Sequence, residues 1–248
     1  MRGLLAVLVL LLAACGQEQH HRLTATLTSP TDVALAWEPE RGVAGQVVEY
    51  AHEPGGPYTV LEFAPPGRTT HEHPDLIPHT SFYYRVRPFH GPVSATVDVT
   101  LPPGDAVPDS DDHAWAEPVS GPSGTHPVRP AVPPSAPPAS PDADRASSSA
   151  DPTTSDAAPG DFHAEVKHAN GILFTWTDHA AGEDGYLLEV RPAGATDFTV
   201  AAQLDPDVRS FGLITLPTEK TAAYRVRAYY HGAPSTVAHQ RTGDDQSR

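Results

Sequence analysis

The chain repeats itself. Val33-Ala34-Leu35-Ala36-Trp37 and Ile172-Leu173-Phe174-Thr175-Trp176 both alternate side chains and end on tryptophan. Beyond each tryptophan, Val48-Glu49-Tyr50 matches Leu188-Glu189-Val190, and Tyr58-Thr59-Val60 matches Phe198-Thr199-Val200. Tyr84-Arg85-Val86-Arg87 matches Tyr224-Arg225-Val226-Arg227, and His90-Gly91 matches His231-Gly232. As far as Arg85 and Arg225 the two series differ by one residue, a difference already present at Glu49 and Glu189, so an insertion sits in the loop after the second tryptophan. Landmarks in constant register over this length mark a duplicated domain.

Each copy consists of short alternating stretches broken by Pro, Gly, Asp and Asn, the pattern of an all-β sandwich. Period-two alternation places Val33, Leu35 and Trp37 on one face, and likewise Ile172, Phe174 and Trp176. In the later strand it turns Phe82, Tyr84 and Val86 inward and leaves Arg85 and Arg87 as a solvated face. With one cysteine in 248 residues no intramolecular disulfide is available, so the sandwiches stand on packing alone.

On these residues both copies resemble fibronectin type III domains. Phe174-Thr175-Trp176-Thr177-Asp178 with Glu183-Asp184-Gly185-Tyr186 looks like the B strand, B–C loop and C strand of bacterial members. Leu216 with Tyr224-Arg225-Val226-Arg227-Ala228 looks like the E–F turn and F strand; Leu76, Pro78 and Phe82 with Tyr84-Arg85-Val86-Arg87 take those parts in the first copy. The family's corner tyrosine is replaced by Phe82 and Ala222, which removes a hydrogen bond worth on the order of 1 kcal/mol. The resemblance implies an all-β fold of two immunoglobulin-like (fibronectin type III) β-sandwiches, at 23–101 and 161–242, joined by a disordered Pro-rich linker.

The linker, 102–160, holds fourteen of the 28 prolines and nine acidic against two basic residues. Such a segment cannot bury enough apolar surface to offset its ordering entropy. As a coil it would set its ends roughly 45 Å apart, holding the second sandwich away from the first. Trp115 within it reads as a lone aromatic rather than a docking motif. Residues 243–248 read as a flexible tail.

At the start, Met1-Arg2-Gly3 precedes an apolar run from Leu4 to Leu12, then Ala13-Ala14-Cys15-Gly16. A short positive start, about ten apolar residues and small residues after them make a secretory signal, too short to span roughly 30 Å of hydrocarbon. Leu12-Ala13-Ala14-Cys15 resembles the lipobox of bacterial lipoproteins. The resemblance implies removal of 1–14, diacylglycerol on Cys15, and a lipidated leader over 15–22. Two or more acyl chains hold firmly where one is marginal. Gly16 is not the aspartate that favours inner-membrane retention in the enteric pattern, which points to the outer membrane or cell surface.

No catalytic site is assigned: no nucleophile elbow, Cys–His pair, phosphate loop or zinc helix is present. His71-Glu72-His73 sets two imidazoles on one strand face, with His79 in the next turn, and Asp178, Glu183 and Asp184 form an acidic loop of the kind that holds calcium. No third ligand is placed beside the histidines and the acidic spacing fits no known loop motif, so they are read as a solvent-exposed strand face and an acidic turn, and no metal or cofactor is assigned. The net charge of -15 excludes nucleic acid as a partner. The expected function is that of a membrane-anchored, extracytoplasmic interaction, adhesion or spacer protein of the cell envelope, binding a protein or glycan and not acting as an enzyme. A carbohydrate-binding accessory role is the alternative; it would need exposed aromatics, and Tyr229-Tyr230 is the only adjacent pair, with at least one buried by alternation.

Overall fold

The computed structural model describes residues 22–104, 114–120, 155–216 and 219–243. The first copy contains β1 (Leu23–Ser29), β2 (Asp32–Trp37), β3 (Gly45–Ala51), β4 (Thr59–Ala64), β5 (Thr70–His73), β6 (Ser81–His90) and β7 (Val97–Thr100). A two-residue strand, β8 (Val119–Ser120), precedes the second copy. That copy contains β9 (Gly160–His168), β10 (Gly171–Thr177), β11 (Gly185–Pro192), β12 (Thr199–Leu204), β13 (Val208–Ile214), β14 (Thr221–His231) and β15 (Ala238–Arg241).

The chain is all-β and forms two immunoglobulin-like sandwiches. In the first, the antiparallel sheet β1-β2-β5 faces β4-β3-β6; in the second, β9-β10-β13 faces β12-β11-β14. This is the strand arrangement expected of the fibronectin type III resemblance. Alternation places the cores as expected: Val33, Leu35, Trp37, Phe82, Tyr84 and Val86 are buried in one, and Ile172, Phe174, Trp176, Tyr224 and Val226 in the other.

The last strand of each copy lies in the other copy's sandwich. β7 pairs antiparallel with β14, Val97 opposite Tyr224 and Thr100 opposite Thr221. β15 pairs with β6, Ala238 opposite Tyr84 and Arg241 opposite Ser81. Val99 and Leu101 therefore belong to the second core, and Ala238 packs on the first. Contiguous sandwiches over 23–101 and 161–242 are not what the strand pairing gives.

Both crossings are pinned in the same way. Ser94 N–H donates to Val226 O at 2.9 Å, and its hydroxyl accepts from Val226 N–H at 3.1 Å. Ser235 makes the same two bonds to Val86, at 2.8 and 3.0 Å. Pro92 and Pro234 stiffen the two crossings and have no N–H with which to close a tight hairpin turn. Gly91, at φ 132, lies so close to the Ala228 carbonyl that any Cβ would collide with it.

The sandwiches also share a third core. β6 and β14 pair at their ends, Tyr230 opposite His90 and His231 opposite Phe89. On the outer faces of these sheets Val47, Phe89, Leu187 and Tyr229 are buried together, with Phe63 and Val200 against them. Val47 and Leu187 occupy matching places in the repeat, as do Phe89 and Tyr229. Burying each contributes about 1.5–3 kcal/mol. This core explains why β3 and β11 are buried on both faces.

Two expectations are corrected. The second sandwich is not held off on an arm, because exchange and the third core fix it against the first. The segment 102–160 is not without structure throughout. Ala114–Ala116 forms a 3-10 turn and β8 extends the second sandwich beyond β13, Val119 opposite Ser210. Trp115 docks: its ring meets His168 edge-on at 5.4 Å and covers Gly212, where a Cβ would fall 2.9 Å from the indole. A glycine in the middle of β13 makes room for this turn, with the Ala116 Cα closest to where a Cβ would fall. The rest of the proposed linker, 105–113 and 121–154, and the tail at 244–248 lie outside the described residues.

Candidate functional site

The acidic loop of the second copy is drawn together in space, with one substitution among its expected members. Asp178, Glu183 and Asp207 each place a carboxylate oxygen within 4.8 Å of the others. Asp178 and Glu183 flank the loop between β10 and β11, and Asp207 sits in the turn between β12 and β13 at φ 62. Asp184 does not join them. Alternation turns it away, and its Oδ2 accepts from the His231 N–H at 2.7 Å.

The three carboxylates are differently held. Asp178 Oδ1 accepts from the Ala180 N–H at 2.9 Å and from the Tyr186 hydroxyl. Glu183 Oε1 accepts from the Asp207 N–H at 3.2 Å. Glu183 is 5% exposed, and its Oε2 is buried with no hydrogen-bond partner. Burial pushes the Glu183 carboxyl upward, backbone N–H donors oppose this, and the charges of Asp178 and Asp207 add to it. The nearness of Asp207 was missed because it depends on a turn more than twenty residues downstream. The Asp205-Pro206-Asp207 turn was the available signal.

His71 and His73 do share a face, as alternation predicts, but it is the half-buried face toward the core and not the solvent-exposed one expected. His71 Nδ1 lies 2.7 Å from Glu62 Oε2, and His73 Nδ1 lies 3.2 Å from the Tyr84 hydroxyl. Their ring centroids are 6.5 Å apart. Burial, reinforced by His71, lowers the His73 pKa below the ordinary imidazole value. His73 is thus packing material, wedged among Tyr50, Phe82 and Tyr84.

The arginines expected on a solvated face are instead drawn onto buried carboxylates. Glu49 is held by Arg85 Nε at 2.6 Å, while Glu189 binds both Arg225 and Arg227, the latter at 2.7 Å. Arg227 also donates to Gly91 O at a crossing. Tyr58 and Phe198 cover Arg85 and Arg225 at 3.9 and 4.0 Å. Part of each outer sheet face is covered by the shared core and part by rings of its own copy, whereas the alternation rule presumed water.

At the opposite end of the second sandwich from the acidic loop lies a cleft of about 560 Å³, lined by Val190, Pro192, Leu213, Ala222 and Tyr224 among others. In the first sandwich the matching places hold Tyr50, His52, His73, Phe82 and Tyr84, whose rings fill the space. Leu216, 64% exposed, stands at this open end where its counterpart Leu76 is 7% exposed.

Cys15 and the rest of 1–21 lie outside the described residues, and no described helix is long and apolar enough to cross a membrane. No family model and no curated protein matches the chain. Among solved structures it is similar to a two-domain fibronectin type III segment of chicken tenascin, at 12% identity and TM-score 0.27, over 90% of this chain and 100% of that one. It is also similar to the FN1–FN3 domains of chicken CNTN1, at 15% identity and TM-score 0.27, over 90% of this chain and 65% of that one. The sandwich architecture stands on strand order and register alone.

Proposed function

We propose that the protein is a bacterial lipoprotein, anchored through Cys15 and acting outside the cytoplasm as a non-enzymatic interaction or adhesion protein. The observation that carries the anchor is the chain's single cysteine, which falls at the position Leu12-Ala13-Ala14-Cys15 requires. Leu23 opens β1 eight residues later, so the first sandwich stands within roughly 28 Å of the lipid at about 3.5 Å per residue. Strand exchange then keeps the second sandwich beside it, and a partner meets one two-lobed body close to the surface. The envelope location leans to the outer membrane or cell surface through Gly16.

The carbohydrate-binding alternative loses its aromatic pair, because Tyr229 is 1% exposed within the third core. Globomycin, which blocks the lipoprotein signal peptidase, should make the uncleaved precursor accumulate, and Cys15→Ala should abolish detergent partitioning of the mature chain. Unchanged processing, or a Cys15→Ala protein that still partitions after cleavage, contradicts the anchor. Cross-linking on intact cells should capture a defined protein partner; a glycan array signal above background would favour the alternative.

A further inference from the structure

At one corner the second sandwich buries a carboxylate where its twin buries an apolar side chain. By the register of Gly45 with Gly185, Glu183 occupies the place of Val43, which is itself buried. By the register of Ala64 with Leu204, Asp207 occupies the place of Gly67. The fold therefore closes this corner with valine and glycine, and packing does not call for acids there. Burying an unpaired carboxylate is costly unless something compensates its charge.

Two backbone N–H groups, those of Asp207 and of Glu183 itself, offset that charge only in part, and the neighbouring carboxylates of Asp178 and Asp207 work against them. Glu183, only 5% exposed, brings a carboxylate oxygen into the cluster, and its buried Oε2 meets no donor. The Tyr186 hydroxyl and the Ala180 N–H hold Asp178 in place from outside, as second-layer donors do around metal ligands. The donor set is oxygen only, without imidazole or thiolate, so it suits a hard cation rather than zinc or copper. Oxygens bound to one calcium ion at about 2.4 Å lie at most about 4.8 Å apart, and the three oxygens fall within that limit. Two irregular turns supply them, and such a site tolerates the variable geometry of calcium better than the strict octahedron of magnesium.

We propose that Asp178, Glu183 and Asp207 bind a calcium ion at the end of the second sandwich, with water completing its shell. The ion ties the loop between β10 and β11 to the turn between β12 and β13, bridging the two sheets. This does not depend on the lipid anchor or on the identity of a partner.

The test uses the full chain, stripped with a chelator and titrated with calcium, followed by melting temperature and by the fluorescence of Trp176. That ring lies 5.6 Å from Tyr186, which bonds Asp178. Extracellular calcium modules bind at roughly 10⁻⁴–10⁻³ M, and saturation in that range with a rise in melting temperature is expected. Magnesium at equal concentration should give a smaller response. Glu183→Val copies the first sandwich and should fold without calcium while losing the response; Glu183→Gln keeps the shape and should lose it as well. A wild-type protein indifferent to calcium at the top of that range overturns the site. So does an undiminished response in either variant, or magnesium acting as strongly as calcium.

Discussion

The two sandwiches share strand order, register, the exchanged strand and the shared core, and they differ at their two ends. One end of the first is filled by the rings of Tyr50, His52, His73 and Phe82, where the second has Val190, Pro192, Leu213 and Ala222 and is open. At the other end the first is closed by Val43 and Gly67, where the second carries Glu183 and Asp207. The shared features are those that hold the pair together. The divergent ones lie where a sandwich has room for a ligand, and all of them are in the second copy. Duplication gave one chain a structural twin against which the other's departures can be read.

That contrast is open to mutation, and the largest effect should come from the filled end. Phe82→Ala should cost about 4 kcal/mol in urea unfolding, because it removes a ring packed on four others. The reciprocal Ala222→Phe should stabilise by about 1 kcal/mol by filling the cleft. A loss from Ala222→Phe would mean that the cleft is not the space vacated by that ring.

Next comes the buried charge. Glu189→Ala strands Arg225 and Arg227 and should cost about 3 kcal/mol. Glu49→Ala acts mainly through Arg85, which is 23% exposed, and should cost clearly less. Equal losses would remove the claim that Arg227 couples its sandwich to the crossing at Gly91.

The crossings themselves should be unequal. Gly91→Ala forces a side chain into the Ala228 carbonyl at positive φ and should cost about 2 kcal/mol in thermal or urea melts. Gly232→Ala meets the Pro88 ring and the His90 side chain rather than a backbone carbonyl, without a positive φ, and should cost about 1 kcal/mol, less than Gly91→Ala.

The smallest effect is in pH. His73 is kept neutral in the fold by burial and by His71, with Tyr50, Phe82 and Tyr84 also facing it. A folded pKa below the unfolded value of 6.5 gives stability that is full above pH 6.5 and falls as the pH drops toward the folded value. His73→Leu, which copies Leu213, should remove that part of the decline, seen as a urea midpoint that changes less between neutral and mildly acid pH.

Much of this was legible in the sequence. The inward faces at Val33, Leu35, Trp37 and their counterparts follow from alternation, and the duplication from register. The exchange was not, because Tyr84-Arg85-Val86 and Tyr224-Arg225-Val226 offer β7 and β15 the same strand to pair with. Periodicity does not say which of two like partners is taken. Two signs were present: prolines in both crossings, and Val47-Val48 and Leu187-Leu188, adjacent apolar pairs that a strand wet on one face would not carry. The arginines were misplaced because buried carboxylates and rings of their own copies, Glu49 with Tyr58 and Glu189 with Phe198, draw them in, and only Arg227 reaches the other copy, at Gly91. In the acidic loop, Asp178 and Glu183 were found by proximity in sequence, whereas Asp207 arrives through the fold and Asp184 leaves through alternation.

The exchange is the central claim, and a disulfide trap tests it most directly. Asp98 lies opposite Ala223 on β14, whereas an unexchanged strand would put it opposite Tyr83, the matching residue of β6. In a Cys15→Ser background, Asp98→Cys with Ala223→Cys should oxidise readily to a monomeric cross-linked chain, and Asp98→Cys with Tyr83→Cys should not. Rapid closure of the second pair with failure of the first would show that each copy keeps its own last strand, and would contradict the account.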